Sequence, residues 1–221
     1  MRRKIKRKNV ITMREGRTST LDKKNNKAFL IGTVEEESKI TFIENEVVYK
    51  TKLKVKRKSE SYDHIPIIVP IRLMSNEVVK DKNIEVFGEF RSDIQAGRKS
   101  TYFYATEIVS YEGEINTNDN NLVYFKGFLC DKPYCKIVKN QNEIAVFCIA
   151  VQRDDHKVDY IYCIVWEDDA EWLKKQRIGQ KIYLYGRMQS RVFYKKIENS
   201  QEKRSIEVYE VNVLEVDKIN N

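Results

Sequence analysis

The stretch 158-VDYIYCIVWEDDAEWLKKQRIGQKIYLYGRMQSRVFYKK-196 decides how the rest of the chain is read. Its opening alternates, with Ile161, Cys163 and Val165 on one side and Tyr160, Tyr162, Ile164 and Trp166 on the other. That is the period of a strand with one face in a core. Its end repeats the pattern, setting Ile182, Leu184 and Met188 against Tyr183, Tyr185, Arg187, Gln189, Arg191 and Phe193. Between the two, Asp168–Lys175 reads as a short helix. Rings interleaved with arginines suit a groove for single-stranded nucleic acid, where each stacked base contributes roughly 1–3 kcal/mol and cations follow the phosphates. Half-buried aromatics at a protein interface give the same pattern. Both readings stand on this stretch alone.

The surrounding chain shows the stretch to be half of a repeat. Gly32 in AFLIGTV has a counterpart in Gly127 of VYFKGFL, and Arg57, ending VVYKTKLKVKR, one in Arg153, ending EIAVFCIAVQR. Pro70 in HIPIIVP matches Trp166 in DYIYCIVW, and Gly88 in IEVFGEF matches Gly186 in IYLYGRM. These offsets are 95, 96, 96 and 98 residues, in the same order along the chain. A unit of five strands occurs twice, with glycines in its first and fourth strands and its helix between the third and fourth. This is the layout of an OB barrel, and the glycines suit the bends a small barrel requires. The expected architecture is all-β: two tandem five-stranded OB-fold barrels with one short helix in each, the first helix over Ser75–Lys80. The boundaries are a disordered basic arm at 1–24, a divergent OB-fold at 25–111, a polar linker at 112–120 and a second OB-fold at 121–217. Pro66 and Pro70 mark the third strand of the first unit as an edge or broken strand.

The net charge of +8 lies entirely in residues 1–24, which hold ten Lys and Arg against Glu15 and Asp22; the remainder carries 31 basic and 31 acidic residues. The arm reads either as a solvated tail or as a loose contact to phosphates. No apolar run approaches the length of a membrane span, and no apolar segment follows the basic N-terminus as in a signal peptide. A cytoplasmic protein is expected. Cys130, Cys135, Cys148 and Cys163 form no Cys-x-x-Cys motif and read as reduced packing residues, so no metal or cofactor is expected. Glu167, Asp168, Asp169 and Glu171 gather at a helix N-terminus, where carboxylates favour the dipole. No catalytic residues are expected.

Residues 121–216 resemble the bacterial single-stranded DNA-binding protein (SSB) family, in a tandem form. NLVYFKGFLCDKP, IAVFCIAVQR, DYIYCIVW, AEWLKK and IYLYGRMQSR carry the resemblance; NKAFLIGTV and IEVFGEF extend it faintly to the first unit. It implies an OB fold and binding of single-stranded DNA without sequence preference, with no catalysis. It places base-stacking rings at Tyr160, Trp166 and Phe193, with Tyr194 the alternate if a bulge shifts the register. Phosphate contacts are expected at Arg187, Arg191, Lys195 and Lys196 around Phe193, and at Arg153. The first unit has His64, Pro70 and Gln95 at the stacking places. It also carries a ladder of Lys50, Lys52, Lys54 and Lys56, either a solvated face or an electrostatic contact to the DNA backbone. The small apolar face of Val146, Cys148 and Ala150 is expected to be covered. With two units per chain, a homodimer is expected. The chain ends VLEVDKINN, without the acidic tip by which the family commonly recruits partners, so that route is not expected here. An OB-fold assembly factor of a plasmid, phage or primosome replication complex is the alternative.

Overall fold

The structure is a computed structural model and describes residues 24–76, 78–95, 98–138, 142–196 and 203–217. The basic arm lies outside them, apart from Lys24. Six strands come from each half: β1 (Asn26–Val34), β2 (Lys39–Ile43), β3 (Glu46–Lys56), β4 (Tyr62–Pro70), β5 (Asn83–Gln95) and β6 (Arg98–Ser110) from the first. The second half supplies β7 (Asn121–Leu129), β8 (Tyr134–Ile137), β9 (Glu143–Gln152), β10 (Val158–Trp166), α1 (Glu167–Lys174), β11 (Lys181–Lys196) and β12 (Lys203–Asp217). The helix that the sequence predicts over 168–175 is α1, one residue earlier at each end. In the second half, β7 pairs with β9, β9 with β10, β10 in parallel with β12, β12 with β11 and β11 with β7, which closes a five-strand barrel. The pairings of β1, β3, β4, β6 and β5 follow the same circuit in the first half. The short strands β2 and β8 lie outside these circuits, each on the strand that follows it.

Glycine marks the seam of each circuit. A side chain on Gly127 would place its Cβ 2.5 Å from the Ala150 carbonyl oxygen, and one on Gly32 would meet the Lys54 carbonyl oxygen at the same distance. At these points β7 turns from β11 to β9, and β1 from β5 to β3. The fourth and fifth strands also share an irregularity. The β5–β6 register shifts between Phe87 and Gly88, and the β11–β12 register between Tyr185 and Gly186. Both shifts leave one extra residue on the later strand, as a β-bulge does.

The first half departs from expectation in two places. At the position of α1 it has a 3-10 turn over Ile71–Leu73, and no helix covers Ser75–Lys80 among the described residues. β4 is not an edge strand either. It pairs with β3 along its whole length and with β6 at Ile67 and Ile68. Pro66 and Pro70 stand outside that short parallel ladder, so their missing N–H groups cost it no hydrogen bond.

The halves join through β1 and β7, which pair antiparallel from Asn26↔Phe125 to Leu30↔Asn121. Ala28 lies opposite Val123, its own counterpart in the repeat, so the two halves meet about an approximate twofold axis at this pair. Across this joint, Phe29 and Ile31 of β1, Leu122 of β7 and Phe87 of β5 form a second apolar cluster, with Tyr111, Ile115, Tyr124 and Tyr185 packed on it. The segment 112–120, expected as a linker, is held here. Ile31 N–H donates to the Asn120 carbonyl, and Asn120 Nδ2 donates to the Lys56 carbonyl.

A polar triad repeats on both sides of the axis, buried around Arg153 and half-buried around Arg57. Arg153 donates to Asp159 through Nε and Nη2, both at 2.8 Å, and Nη2 reaches the carbonyl of Ser92 in the other half at 3.1 Å. Asp159 accepts the Ser92 N–H at 2.7 Å, and Ser92 Oγ accepts the Tyr160 N–H at 2.9 Å. The counterparts do the same in reverse. Arg57 pairs with Asp63 and donates to the Ser190 carbonyl, Asp63 accepts the Ser190 N–H, and Ser190 Oγ accepts the His64 N–H. Each half thus satisfies backbone groups of the other.

Candidate nucleic-acid interface

The outer face of the second half is built by the alternation of β10. Asp159, Ile161, Cys163 and Val165 are buried, while Tyr160, Tyr162 and Trp166 are exposed at 44%, 48% and 43%. Cross-strand pairing widens this surface. Tyr160 lies opposite Ala150, which lies opposite the exposed Phe128; Ile164 lies opposite Val146, which lies opposite the exposed Tyr134. Rings therefore line the outer face from β7 and β8 across β9 to β10. Trp166 is oriented by a 3.0 Å hydrogen bond from Nε1 to Asn212 Oδ1 on β12. Trp172, on α1, packs against the core instead.

β11 and β12 pair out to Lys196↔Lys203 as a two-stranded ribbon. Phe193 and Tyr194 lie on it, exposed on opposite faces. The Arg191 guanidinium lies 4.4 Å from the Phe193 ring centroid and forms a 2.7 Å ion pair with Glu210. Burial pushes the Glu210 carboxyl above its usual range, and Arg191 opposes that rise.

The expected phosphate contacts do not gather as one group. Arg153 is a correction: its side chain is 4% exposed and its donors serve Asp159, Ser92 and Glu44, so it holds the two halves together. Arg187 donates to the Thr117 carbonyl and to Asn120, which fastens the 112–120 segment. Arg191 is the expected arginine whose head lies beside an exposed ring. The side chains of Lys195 and Lys196 lie outside the described residues.

Among the described residues, the first half presents no matching aromatic surface. His64 Nδ1 lies 2.8 Å from Glu35, and Pro66 and Pro70 are buried. Gln95 lies outside the described side chains. Tyr102 and Tyr104 are buried with Ile43, Val48 and Ile68. Burial pushes the Tyr102 hydroxyl up to about 12. In the lysine ladder, Lys52 pairs with Glu207 on the ribbon, Lys56 pairs with Glu60, and Lys54 sits 4.3 Å from the Tyr62 ring centroid. Lys50 is exposed.

Three rings on this face were missed by sequence reasoning as candidates for the site. Tyr162 lies in the same alternation as Tyr160 and Trp166. Phe128 follows the seam glycine directly. Tyr134 sits in a four-residue strand too short to show a period. Among the described residues, no group of three or more His, Cys, Asp or Glu gathers as a metal site would, and no helix is long and apolar enough to cross a membrane.

The second half is a closed β-barrel that offers rings and a few cations on one outer face. Residues 120–214 match the model of the Single-strand binding protein family, a family of binding proteins, over nearly the residues where the sequence showed the resemblance. The chain is similar in fold to the wild-type single-stranded DNA binding protein from Thermus aquaticus, with a TM-score of 0.61 and 16% identity, over 89% of this chain and 93% of that one. A deletion mutant of that protein gives a TM-score of 0.59 and 16% identity, over 87% and 93%. No curated protein sequence matches the chain significantly.

Proposed function

We propose that this protein binds single-stranded DNA without sequence preference, through the outer aromatic face of its second half. The observation that carries the reading is the line of exposed rings on β10, Tyr160, Tyr162 and Trp166, in a segment that matches the single-strand binding family. Bases stack on these rings and on Phe193, with Tyr194 on the other side of the ribbon. Arg191 contacts phosphate beside Phe193, with Lys195 and Lys196 further along. The two halves act as tandem OB units with divided labour: the second stacks bases, and the first completes the assembly. Its lysines add at most a weak electrostatic contribution, since three of the four meet a carboxylate or a ring. Coating and protection of single strands during replication, recombination or repair is the corresponding role, in a homodimer of four OB units.

The test is titration of the full-length protein with oligothymidylates of graded length, followed by tryptophan fluorescence. Binding is expected to quench fluorescence and to weaken with salt. Trp166→Ala is expected to lose most of the quench and about 1–3 kcal/mol of affinity, because Trp172 remains packed against the core. A quench that survives this substitution would move the platform elsewhere, and no binding at low salt would favour the assembly-factor reading.

A further inference from the structure

Two of the four cysteines face each other across the seam of the second barrel. The β7–β9 pairing runs through Phe128↔Ala150 and Leu129↔Ile149, and the next step of that register sets Cys130 opposite Cys148. The Cys130 N–H donates to the Cys148 carbonyl at 3.0 Å, which confirms the step. Directly opposed residues of this kind have Cα atoms about 5.5 Å apart, inside the roughly 4.4–6.8 Å that a disulfide spans. Both side chains lie on the outer side of the sheet, away from the main core: Cys130, half-buried, shares the side of the exposed Phe128, and Cys148, covered by its neighbours and 5% exposed, lies opposite the exposed Tyr162. Cys163, by contrast, faces the core, and Cys135 sits opposite Ala145 on β8.

We infer that Cys130 and Cys148, present as thiols here, form a reversible disulfide across the barrel seam, with a low-molecular-weight disulfide as oxidant. Cys130 is the more accessible of the two and reacts first. Its thiolate attacks one sulfur of the oxidant, making a mixed disulfide and releasing one thiolate. Cys148 then loses its proton and attacks the Cys130 sulfur, expelling the second. Two protein thiols are oxidised, one small disulfide is reduced to two thiols, and the two protons end on the released thiolates. Cys130 has just passed the end of β7, which gives its backbone room to meet the dihedral angle of the bond. The bridge extends a pairing of two residue pairs, as short as that of β10 with β12, next to Tyr162 on the aromatic face.

The test exposes the full-length protein to oxidised glutathione, quenches in acid, alkylates the remaining thiols and counts them by mass. The count is expected to fall from four to two, with no glutathione retained, with peptide mapping joining Cys130 to Cys148, and with dithiothreitol restoring all four. Cys130→Ser is expected to form no bridge, and Cys135→Ser to form it as before. A Cys130–Cys135 bond, a glutathione adduct that persists on Cys130, or four unreacted thiols would overturn the inference. None of these readouts involves DNA, so the result is independent of the proposed function.

Discussion

Asp159 is buried within β10, where the alternation of the strand calls for an apolar residue, and its role is set by what it receives. Two hydrogen bonds come from Arg153 and one from the Ser92 backbone. Removing the charge from Asp159 would leave the Arg153 guanidinium buried beside a weaker acceptor. Asp159→Asn is therefore expected to cost roughly 3–5 kcal/mol, the usual penalty for stranding one member of a buried ion pair. Asp63→Asn is expected to cost less, because Arg57 is 29% exposed against 4% for Arg153 and water can reach it. Urea denaturation of the two variants checks the order. Glu210 presents the opposite situation, a carboxylate on the proposed DNA face that occupies Arg191. Glu210→Gln is expected to tighten single-strand binding and to steepen its salt dependence by about 0.7 in log–log slope, the increment for one further phosphate neutralised. An unchanged slope would mean that Arg191 does not reach phosphate. Arg153 shows the limit of the sequence at this scale. Its place at the end of a strand is visible there, and so is its match to Arg57. That its donors also reach Glu44 and Ser92 of the other half is not, since both contacts depend on how the halves pack.

At the level of single elements, the seam strands β1 and β7 are the most demanding. Each must bend at its glycine to reach a second partner, and the space there is taken by a carbonyl oxygen of the strand opposite. Gly127→Ala is expected to cost about 1–3 kcal/mol through forced displacement of β9, read as a lower thermal midpoint. A neutral result would place the bend elsewhere. Both glycines are legible as repeat landmarks, and period-2 alternation identifies the faces of β3, β10 and β11. Two short strands are not legible. KITFI and YCKI are too brief for a period, and they form because each folds back on a longer neighbour. The position of β4 departs from expectation for a related reason. Proline content reports which N–H groups are missing, but not which side of the strand they would have faced.

Across the whole molecule, the two halves share one continuous sheet, one apolar cluster under the 112–120 segment and two reciprocal polar triads. Thermal unfolding is therefore expected as a single transition whose calorimetric and van't Hoff enthalpies agree. Two resolved transitions would show the halves to be independent. One contact between them depends on acid. Glu44, at the β2–β3 turn of the first half, pairs with Arg153 and Lys157 of the second. Burial alone would raise its carboxyl, but the hydrogen bonds from Lys157 and Arg153 bring it below the ordinary value of 4.5. A depressed acid stabilises the fold above its unfolded value and loses that contribution as the pH falls through its folded one. Glu44→Gln is accordingly expected to flatten the decline in stability below pH 4.5. An acid limb as steep as in the parent would assign that decline to other carboxylates. The repeat makes this unity partly legible, through its offset; the triads that enforce it are single polar residues with no periodic signature.

The paired triads also record a history. After a segment is doubled, either copy is free to drift wherever the other can serve in its place. Arg57 and Arg153, Asp63 and Asp159, and Ser92 and Ser190 had no such freedom, because each set grips the opposite copy and neither can stand in for its twin. The exposed rings are under no such constraint, and His64 and Pro70 stand where the second half has Tyr160 and Trp166. The two halves differ in their exposed rings, while the joint keeps both sides of its grip. A chain carrying the second copy in both positions would close on the same joint and present two sets of rings.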